Sequence, residues 1–305
     1  MAIKYERPAK ITTLWKAYEF TCQCSPKWSN GSNHAQNQLT NIRHFHDAEG
    51  SDQIKIKVIN QPWARAVLEQ YVEDRADKGL ETSNNTLNKH LTTLRHVLRT
   101  ISQEGYLNAC PVFKMWEENA YRTNYFEKEH VEQLAQYALE RDDIPMAHVI
   151  RCAGYTGLRQ GELMRLKVRD VDLKKGFIHV GGTADTKTKG RNYRTVSIHK
   201  SIVSILEMRT QGRERTGYVF DEFPSRKQLY RRFLKCRDRL IYENQDLIDK
   251  SYVFHTLRHS YGTWHIQGGT SLTRVRDLMG HCSVTVTERY LHNTPQDLLS
   301  VANNI

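Results

Sequence analysis

The sequence predicts an α+β protein that is mainly helical, with a helical N-terminal region and a mixed C-terminal region that holds a small antiparallel sheet. Apolar residues recur at helical spacing through most of the chain. Two short alternating segments stand close together only in the second half, without the regular strand–helix alternation of a parallel sheet. The length of 305 residues is enough for two domains that each bury a core.

The first third of the chain has the pattern of successive helices. Helical segments at 8–22 and 34–48 are separated by the polar turn WSNGSN. A third segment, 62–79, has Pro62 near its start and Gly79 at its end, as helices often do.

The strongest helical pattern covers residues 84–102. Its apolar residues fall at steps of four and three and predict a buried stripe: Leu87, Leu91, Leu94, Leu98 and Ile101. Lys89, Arg95 and Arg99 lie off this stripe, so they face either solvent or a nucleic acid, and the residues alone leave both readings open.

The best boundary between domains follows this helix. The segment 105–130 breaks the helical pattern, with Pro111 and a polar run after Trp116. We therefore predict a helical domain at 1–117 and a second domain at 118–305.

The second domain is predicted to be mixed. After helices from about 127 and over 146–166, GFIHVGG and NYRTVSIH alternate like two strands joined by the polar loop TADTKTKGR. Further helical patterns complete the domain: 201–210, 226–243, 255–267, 271–279 and 284–291.

The net charge of +11 is unevenly distributed, at +2 over residues 1–120 and +9 over 121–305. Such an excess favours contact with a polyanion, although a basic solvated surface also explains it. No run of about 18 uncharged apolar residues can cross a bilayer, and the first residues lack a signal peptide's apolar stretch. We expect a soluble protein that is located in the bacterial cytoplasm or at the host-cell nucleoid and has no membrane partner.

The six cysteines show no paired spacing, which fits a reducing compartment. Cys22 and Cys24, followed by His34, His44 and His46, raise the alternative of a zinc site. Their spacing is C-x-C rather than C-x-x-C and no second cysteine pair follows, so ordinary helix and loop positions are favoured and no metal is expected.

Two basic segments are candidates for binding phosphate. In GYTGLRQGELMRL, Arg159 and Glu162 are three residues apart and share a helix face, which also fits a simple surface ion pair. In the predicted hairpin turn, a basic side chain can reach a phosphate or donate a proton, although most basic turns are solvated. Four such residues crowd this turn: Lys187, Lys189, Arg191 and Arg194.

Two further segments carry histidines. In FHTLRHSYGTW, His255, Arg258 and His259 fall at i, i+3 and i+4, a stripe that makes a poor apolar core and indicates an anion site. In MGHCSVTVTERYLH, His281 follows a turn and Tyr290 lies nine residues later. Alone, Tyr290 is more often a half-buried aromatic than a nucleophile.

In this order, the segments resemble the tyrosine recombinase family, in particular phage-type integrases. The matching segments are TGLRQGEL with Arg159, TKTKG with Lys187, HTLRH with His255 and Arg258, LMGH with His281, and ERY with Tyr290. The resemblance covers about residues 125–295, and the helical first third is similar to the family's core-binding domain. Met279 stands where leucine is usual and Cys282 where serine is common.

The resemblance implies an enzyme that cuts and rejoins double-stranded DNA through a 3′-phosphotyrosine on Tyr290. Arg159 and Arg258 would bind the non-bridging phosphate oxygens and His281 would donate a further hydrogen bond. His255 would accept the tyrosine proton.

Further residues take supporting roles under the same resemblance. Lys187 would protonate the departing 5′ oxygen, with Lys189 two residues away as the alternative. Glu162 would orient the arginine and histidine cluster, with His259 beside it. The residues predicted to contact DNA are Lys89, Arg95, Arg99, Lys189 and Arg191.

The resemblance also implies partners and cofactors. It implies specific attachment-type DNA sites, a homotetramer on DNA, and neither metal nor ATP; no P-loop motif occurs in the sequence. It leaves open whether DNA-bending accessory proteins are required, and whether the task is integration, excision or dimer resolution.

Three alternative functions compete with this interpretation. A metal-dependent nuclease needs clustered carboxylates, whereas the acidic residues here are scattered. A type IB topoisomerase shares the chemistry but relaxes DNA without site preference. A catalytically silent DNA-binding relative is disfavoured, because every expected catalytic position is filled.

Overall fold

The computed structural model describes residues 8–47, 54–117, 124–181, 193–245, 247–288 and 290–291. The chain divides into two compact units, the first ending at residue 120 and the second starting at residue 121. Helices dominate both units, and the strands described form one small antiparallel sheet in the second. The predicted mainly helical α+β class is confirmed.

The first unit is helical in its described part. Its helices are α1 (Leu14–Cys24), α2 (Pro26–Ser29), α3 (Asn33–Asp47), α4 (Gln61–Ala76) and α5 (Asn84–Gln103). Polar side chains cap three of them, because Thr13, Asn60 and Ser83 each accept a hydrogen bond from the backbone N–H three residues later. The cap at Thr13 explains why the first helix begins later than the predicted residue 8.

Helix α5 supplies the core of this unit. Every residue of its predicted stripe, from Leu87 to Ile101, is buried, and the helix packs against α1 and α3. Asn88 fixes the segment after α5: its side chain exchanges two hydrogen bonds of 2.9 Å with the backbone of Trp116. The opposite face of α5 is exposed.

The second unit surrounds the sheet with helices. The helices are α6 (Lys128–Leu139), α7 (Ile144–Thr156), α8 (Gln160–Leu163), α9 (Val203–Thr210), α10 (Arg226–Glu243), α11 (Phe254–Gln267), α12 (Leu272–Met279) and α13 (Thr285–Glu288). The strands are β1 (Val171–Asp172), β2 (Phe177–Val180) and β3 (Arg194–Ser197), in the order β1-β2-β3. The register pairs Ile178 with Val196 and Val180 with Arg194. The predicted loop TADTKTKGR between the two longer strands lies outside the described residues.

The structure corrects one predicted element, the continuous helix at 146–166. Helix α7 ends at Gly157, which has a φ of 62° in the left-handed region that favours glycine. A Cβ at this position would also overlap the ring of Tyr261. Because the chain turns here before α8 begins, Arg159 has extended backbone at the start of α8 instead of a place within a long helix.

The core of the second unit is centred on α7, which packs against α6 and α11. A smaller apolar cluster lies beside it and consists of Tyr261, Val275, Met279 and Tyr290. Within the part of the chain that the structure describes, no helix has both the length and the apolar character needed to span a bilayer.

Candidate active site

The Glu162 carboxylate lies at the centre of a cluster of arginines. Arg194 donates two hydrogen bonds to it, of 3.0 and 2.6 Å. Arg159 donates from its backbone N–H at 2.8 Å and from Nη1 at 2.9 Å. Nη1 of Arg258 is 4.0 Å from Oε2 of the same carboxylate. Three guanidinium groups thus share one buried anion.

This cluster keeps a net positive charge. Burial acts to raise the pKa of Glu162, but the hydrogen bond and charge of Arg194 outweigh it and lower that pKa to about 2. Burial, together with the charges of Arg159 and Arg194, lowers the pKa of Arg258 to about 9. Near neutral pH, one negative charge therefore faces three positive ones.

Backbone carbonyls at two helix ends hold the same arginines. Arg194 donates from Nε to the carbonyl of Leu278 at 3.0 Å, Arg258 donates to that of Met279, and Arg159 donates to that of Gly280 at 3.2 Å. These are consecutive carbonyls at the C-terminal end of α12. Arg258 also donates to the carbonyl of Gly157, at the end of α7, at 2.6 Å. Carbonyls at helix C-termini lack helical partners and carry partial negative charge, so they suit cations.

The exposure of the arginines differs. The Arg258 side chain is 2% exposed and that of Arg194 is 6% exposed, whereas 37% of the Arg159 side chain reaches solvent. Arg159 is therefore the member of the cluster that is most accessible to an incoming anion.

The histidines and the tyrosine lie together beside α11. Nδ1 of His259 is 3.1 Å from the hydroxyl of Tyr290. The rings of His255 and His259 meet edge to face at 4.8 Å. The His281 ring lies nearly parallel to that of Tyr290, with centroids 6.3 Å apart, and its Nδ1 is 2.9 Å from the Thr287 hydroxyl. One tyrosine and three histidines thus form a connected group.

Tyr290 is buried in the small apolar cluster and is 2% exposed. Its ring packs closely on α11, because a Cβ at Gly262 would lie 2.9 Å from Cζ of Tyr290 and 2.8 Å from Sδ of Met279. The absence of a side chain at Gly262 makes room for the ring. Its hydroxyl hydrogen-bonds to His259, which was predicted only as a supporting residue.

The structure brings together most of the residues predicted from the sequence. Those assembled in the second unit are Arg159, Glu162, His255, Arg258, His259, His281 and Tyr290. Those outside the described residues are Lys187, Lys189 and Arg191. The predicted contacts Lys89, Arg95 and Arg99 lie in the first unit, where all three are exposed on α5.

The role of Arg194 was not predicted from the sequence, in which this residue was counted only among the basic residues of a turn. A signal was present: along β3 the buried positions alternate, so that Arg194 shares the inward face with Val196. An arginine on the buried face of a strand requires an acidic partner. Glu162 is that partner.

The zinc alternative gains no support from the part of the chain that can be described. No three His, Cys, Asp or Glu residues there are grouped so that they could hold a metal ion. The Cys22 thiol is 3.7 Å from the carbonyl of Trp28, and the rings of His34 and His46 contact those of Trp28 and Trp15.

The second unit combines a small sheet flanked by helices with arginines, histidines and a buried tyrosine that converge on α11. This combination defines the catalytic-domain fold of the tyrosine recombinases. Residues 124–297 match the sequence profile of the Phage integrase family, and because the match covers more than half of the chain, the protein belongs to that family.

Individual relatives agree with this assignment. The chain is 30% identical over 154 residues to tyrosine recombinase XerD of Listeria innocua, a match that covers 48% of this chain and 49% of the relative. The integrase of Escherichia phage P2 is 26% identical over 299 residues, covering 96% of this chain and 75% of the relative. The chain spans about half the length of the XerD relatives that it matches.

The fold is also similar to a solved structure, that of the Tn1549 transposon integrase in complex with a circular intermediate DNA. The TM-score is 0.75 at 16% identity, covering 97% of this chain and 100% of the other. A second similar structure is that of a lambda integrase dimer bound to a core site, with a TM-score of 0.67 at 18% identity, covering 93% and 77% of the two chains.

Proposed function

We propose that this protein is a site-specific DNA recombinase that cuts and rejoins duplex DNA through a covalent 3′-phosphotyrosine on Tyr290. The observation that carries the proposal is the convergence of Arg159 and Arg258, held by one carboxylate, with the His259–Tyr290 pair. No step of this transesterification needs a metal ion or a nucleotide, because the phosphotyrosine retains the energy of the broken bond.

The arginines would stabilise the transition state. Attack on a phosphodiester builds negative charge on the non-bridging oxygens, and forked guanidinium groups bind such oxygens through charge-assisted hydrogen bonds. Because Glu162 and the α12 carbonyls already fix Arg159 and Arg258, little reorganisation is needed when the charge develops. Glu162 is thus a positioning residue that remains ionised.

Three histidines would handle protons and hydrogen bonds. A tyrosine hydroxyl, with an ordinary pKa of about 10, needs a base near neutral pH. His259, 3.1 Å from the hydroxyl, and His255, against the His259 ring, form a short path for that proton. With the His281 Nδ1 bound to Thr287, Nε2 is the nitrogen that would donate to the phosphate.

Other predicted roles remain part of the proposal. Lys187, or Lys189 in its place, would protonate the leaving 5′ oxygen, and Arg191 would contact the backbone beside them. The domain at 1–117 would act as the core-binding domain, with the exposed basic residues of α5 on phosphates. The domain at 118–305 would hold the chemistry.

The biological task would be integration or excision of a phage or another mobile element. Relatives with these names include the phage P2 integrase and the Tn1549 transposon integrase, whose structure holds a circular intermediate DNA. Dimer resolution stays the alternative task. The active form would be a homotetramer on attachment-type sites in the cytoplasm.

A trapping experiment tests the chemistry. A nicked duplex that carries the junction sequence of the encoding element should yield a covalent protein–DNA adduct, and EDTA should not prevent it. Tyr290→Phe should abolish the adduct and retain DNA binding. Adduct formation by Tyr290→Phe, or its loss in EDTA, would overturn the proposal. Relaxation of any plasmid by a monomer without site preference would indicate a type IB topoisomerase instead.

A further inference from the structure

Two arginines that the proposed mechanism does not use lie together beside α8. A Cβ built on Gly161 would lie 3.0 Å from Cζ of Arg226 and 3.2 Å from Nη1 of Arg165. The side-chain amide of Gln160 donates to the backbone carbonyl of Arg226 at 3.1 Å and ties the start of α10 to α8. The two guanidinium groups therefore approach the same point over Gly161.

The charges at this point are not balanced within the described part of the chain. No carboxylate there bonds to Arg165 or Arg226. Asp221 lines the same cleft, but its carboxylate is bound by Arg213. Arg226 also stands in the first turn of α10, where the helix dipole disfavours a cation and no acidic residue is present. Two positive charges close together at the positive end of a helix repel each other and cost free energy unless an anion binds between them.

We propose that Arg165 and Arg226 form a second phosphate site, which binds a DNA backbone phosphate next to the one held by Arg159 and Arg258. The inference rests on the proposed function, because the duplex supplies the neighbouring phosphate. The two arginines line an open cleft of about 410 Å³. Gly161 and Glu162 are adjacent in α8, so the two sites lie on one short helix. Forked guanidinium groups match the oxygens of a phosphodiester.

Gly161 has a specific place in this site. Any side chain there would meet the Arg226 guanidinium, which is flexible and would move away. Gly161→Ala should therefore displace Arg226 and leave its charge in the protein. This separates a defined phosphate contact from a general attraction by net charge.

Binding of a short labelled duplex of arbitrary sequence, followed by fluorescence anisotropy between 50 and 200 mM salt, tests the site. Arg165→Ala and Arg226→Ala should each weaken binding about tenfold, as expected for a lost charge-assisted hydrogen bond. Each should lower the slope of log affinity against log salt by about 0.9. The double variant should lose little more affinity than either single variant, because both residues bind the same phosphate.

Two comparisons make the result decisive. Arg141→Ala removes an exposed charge at the end of α6 and should change binding much less. Gly161→Ala should weaken binding in the wild-type background and have no further effect in Arg226→Ala. None of these variants should lower the Tm, because no ion pair is lost. A fall in Tm would instead indicate that the two arginines have a merely structural role.

The outcomes separate the two proposals. The second phosphate site alone is overturned if the wild-type protein forms the Tyr290 adduct while Arg165→Ala and Arg226→Ala bind DNA as well as Arg141→Ala does. The site is also overturned if the affinity losses of the two single variants multiply fully in the double variant, because this result indicates independent contacts. Wild-type protein that binds no duplex overturns the proposed function and this site together.

Discussion

Arg194→Ala is the substitution that tests most directly how the arginine cluster is held. It removes two hydrogen bonds to Glu162 and one to the carbonyl of Leu278, and it leaves a carboxylate that is 4% exposed without its main partner. Removing one member of a buried ion pair costs about 3–5 kcal/mol, because the other charge stays buried. For a unit of this size, this is a fall in Tm on the order of 10 °C.

The assay is urea unfolding of wild type and variant, followed by circular dichroism, with the adduct assay in parallel. Arg194→Lys is the matched control: it keeps the charge but loses the fork, so it should retain only part of the stability. The double variant Arg194→Met with Glu162→Gln should be less destabilised than the two single losses predict, because neither charge is left alone.

The pH dependence adds a second measurement to this prediction. The pKa of Glu162 is lowered in the folded state, so its stabilising contribution is present above the unfolded pKa and is lost as the pH falls from about 4.5 towards about 2. In Arg194→Ala this acid loss should shrink. A cost below about 1 kcal/mol for Arg194→Ala, or strictly additive losses in the double variant, would refute the ion-pair reasoning.

Three further predictions concern other parts of the molecule. Burial lowers the pKa of His90 to about 4, so the free energy of unfolding of the first unit should fall by on the order of 3 kcal/mol as the pH falls from about 6.5 to about 4. In urea titrations, His90→Gln should reduce this loss of stability at acid pH. Gly262→Ala should cost about 1–3 kcal/mol by crowding Tyr290, and unchanged unfolding would show that the ring moves freely. His259→Ala should slow adduct formation on a nicked site about 10²- to 10⁴-fold, and a larger loss in His255→Ala would transfer the role of proton acceptor to that residue.

The sequence predicted the parts of the fold that periodicity and capping encode. Helix α5 was found almost to the residue, because its apolar stripe and the cap at Ser83 act locally. The break at Gly157 was missed. The residue there must lack a side chain because Tyr261, which lies about a hundred residues later in the chain, packs against it. Strand β1 has two residues, too few for an alternating pattern.

The candidate site divides in the same way. Its residue types were predicted from ordered motifs, but the partner of each side chain depends on contacts between distant segments. Arg194 and Glu162 are 32 residues apart, and only the inward register of β3 brings them together. The bond between Tyr290 and His259, rather than one from His255, similarly follows from how the chain after α12 packs on α11.

The three consecutive carbonyls at the end of α12 have a consequence for how the protein is made. Arg159, Arg194 and Arg258 all precede in the chain the carbonyls at 278–280 that anchor them, and Tyr290 follows those carbonyls. A chain that ends before residue 278 therefore lacks both the carbonyls that fix the arginine cluster and Tyr290. In the proposed recombinase, such a truncated product would lack the residue that attacks DNA.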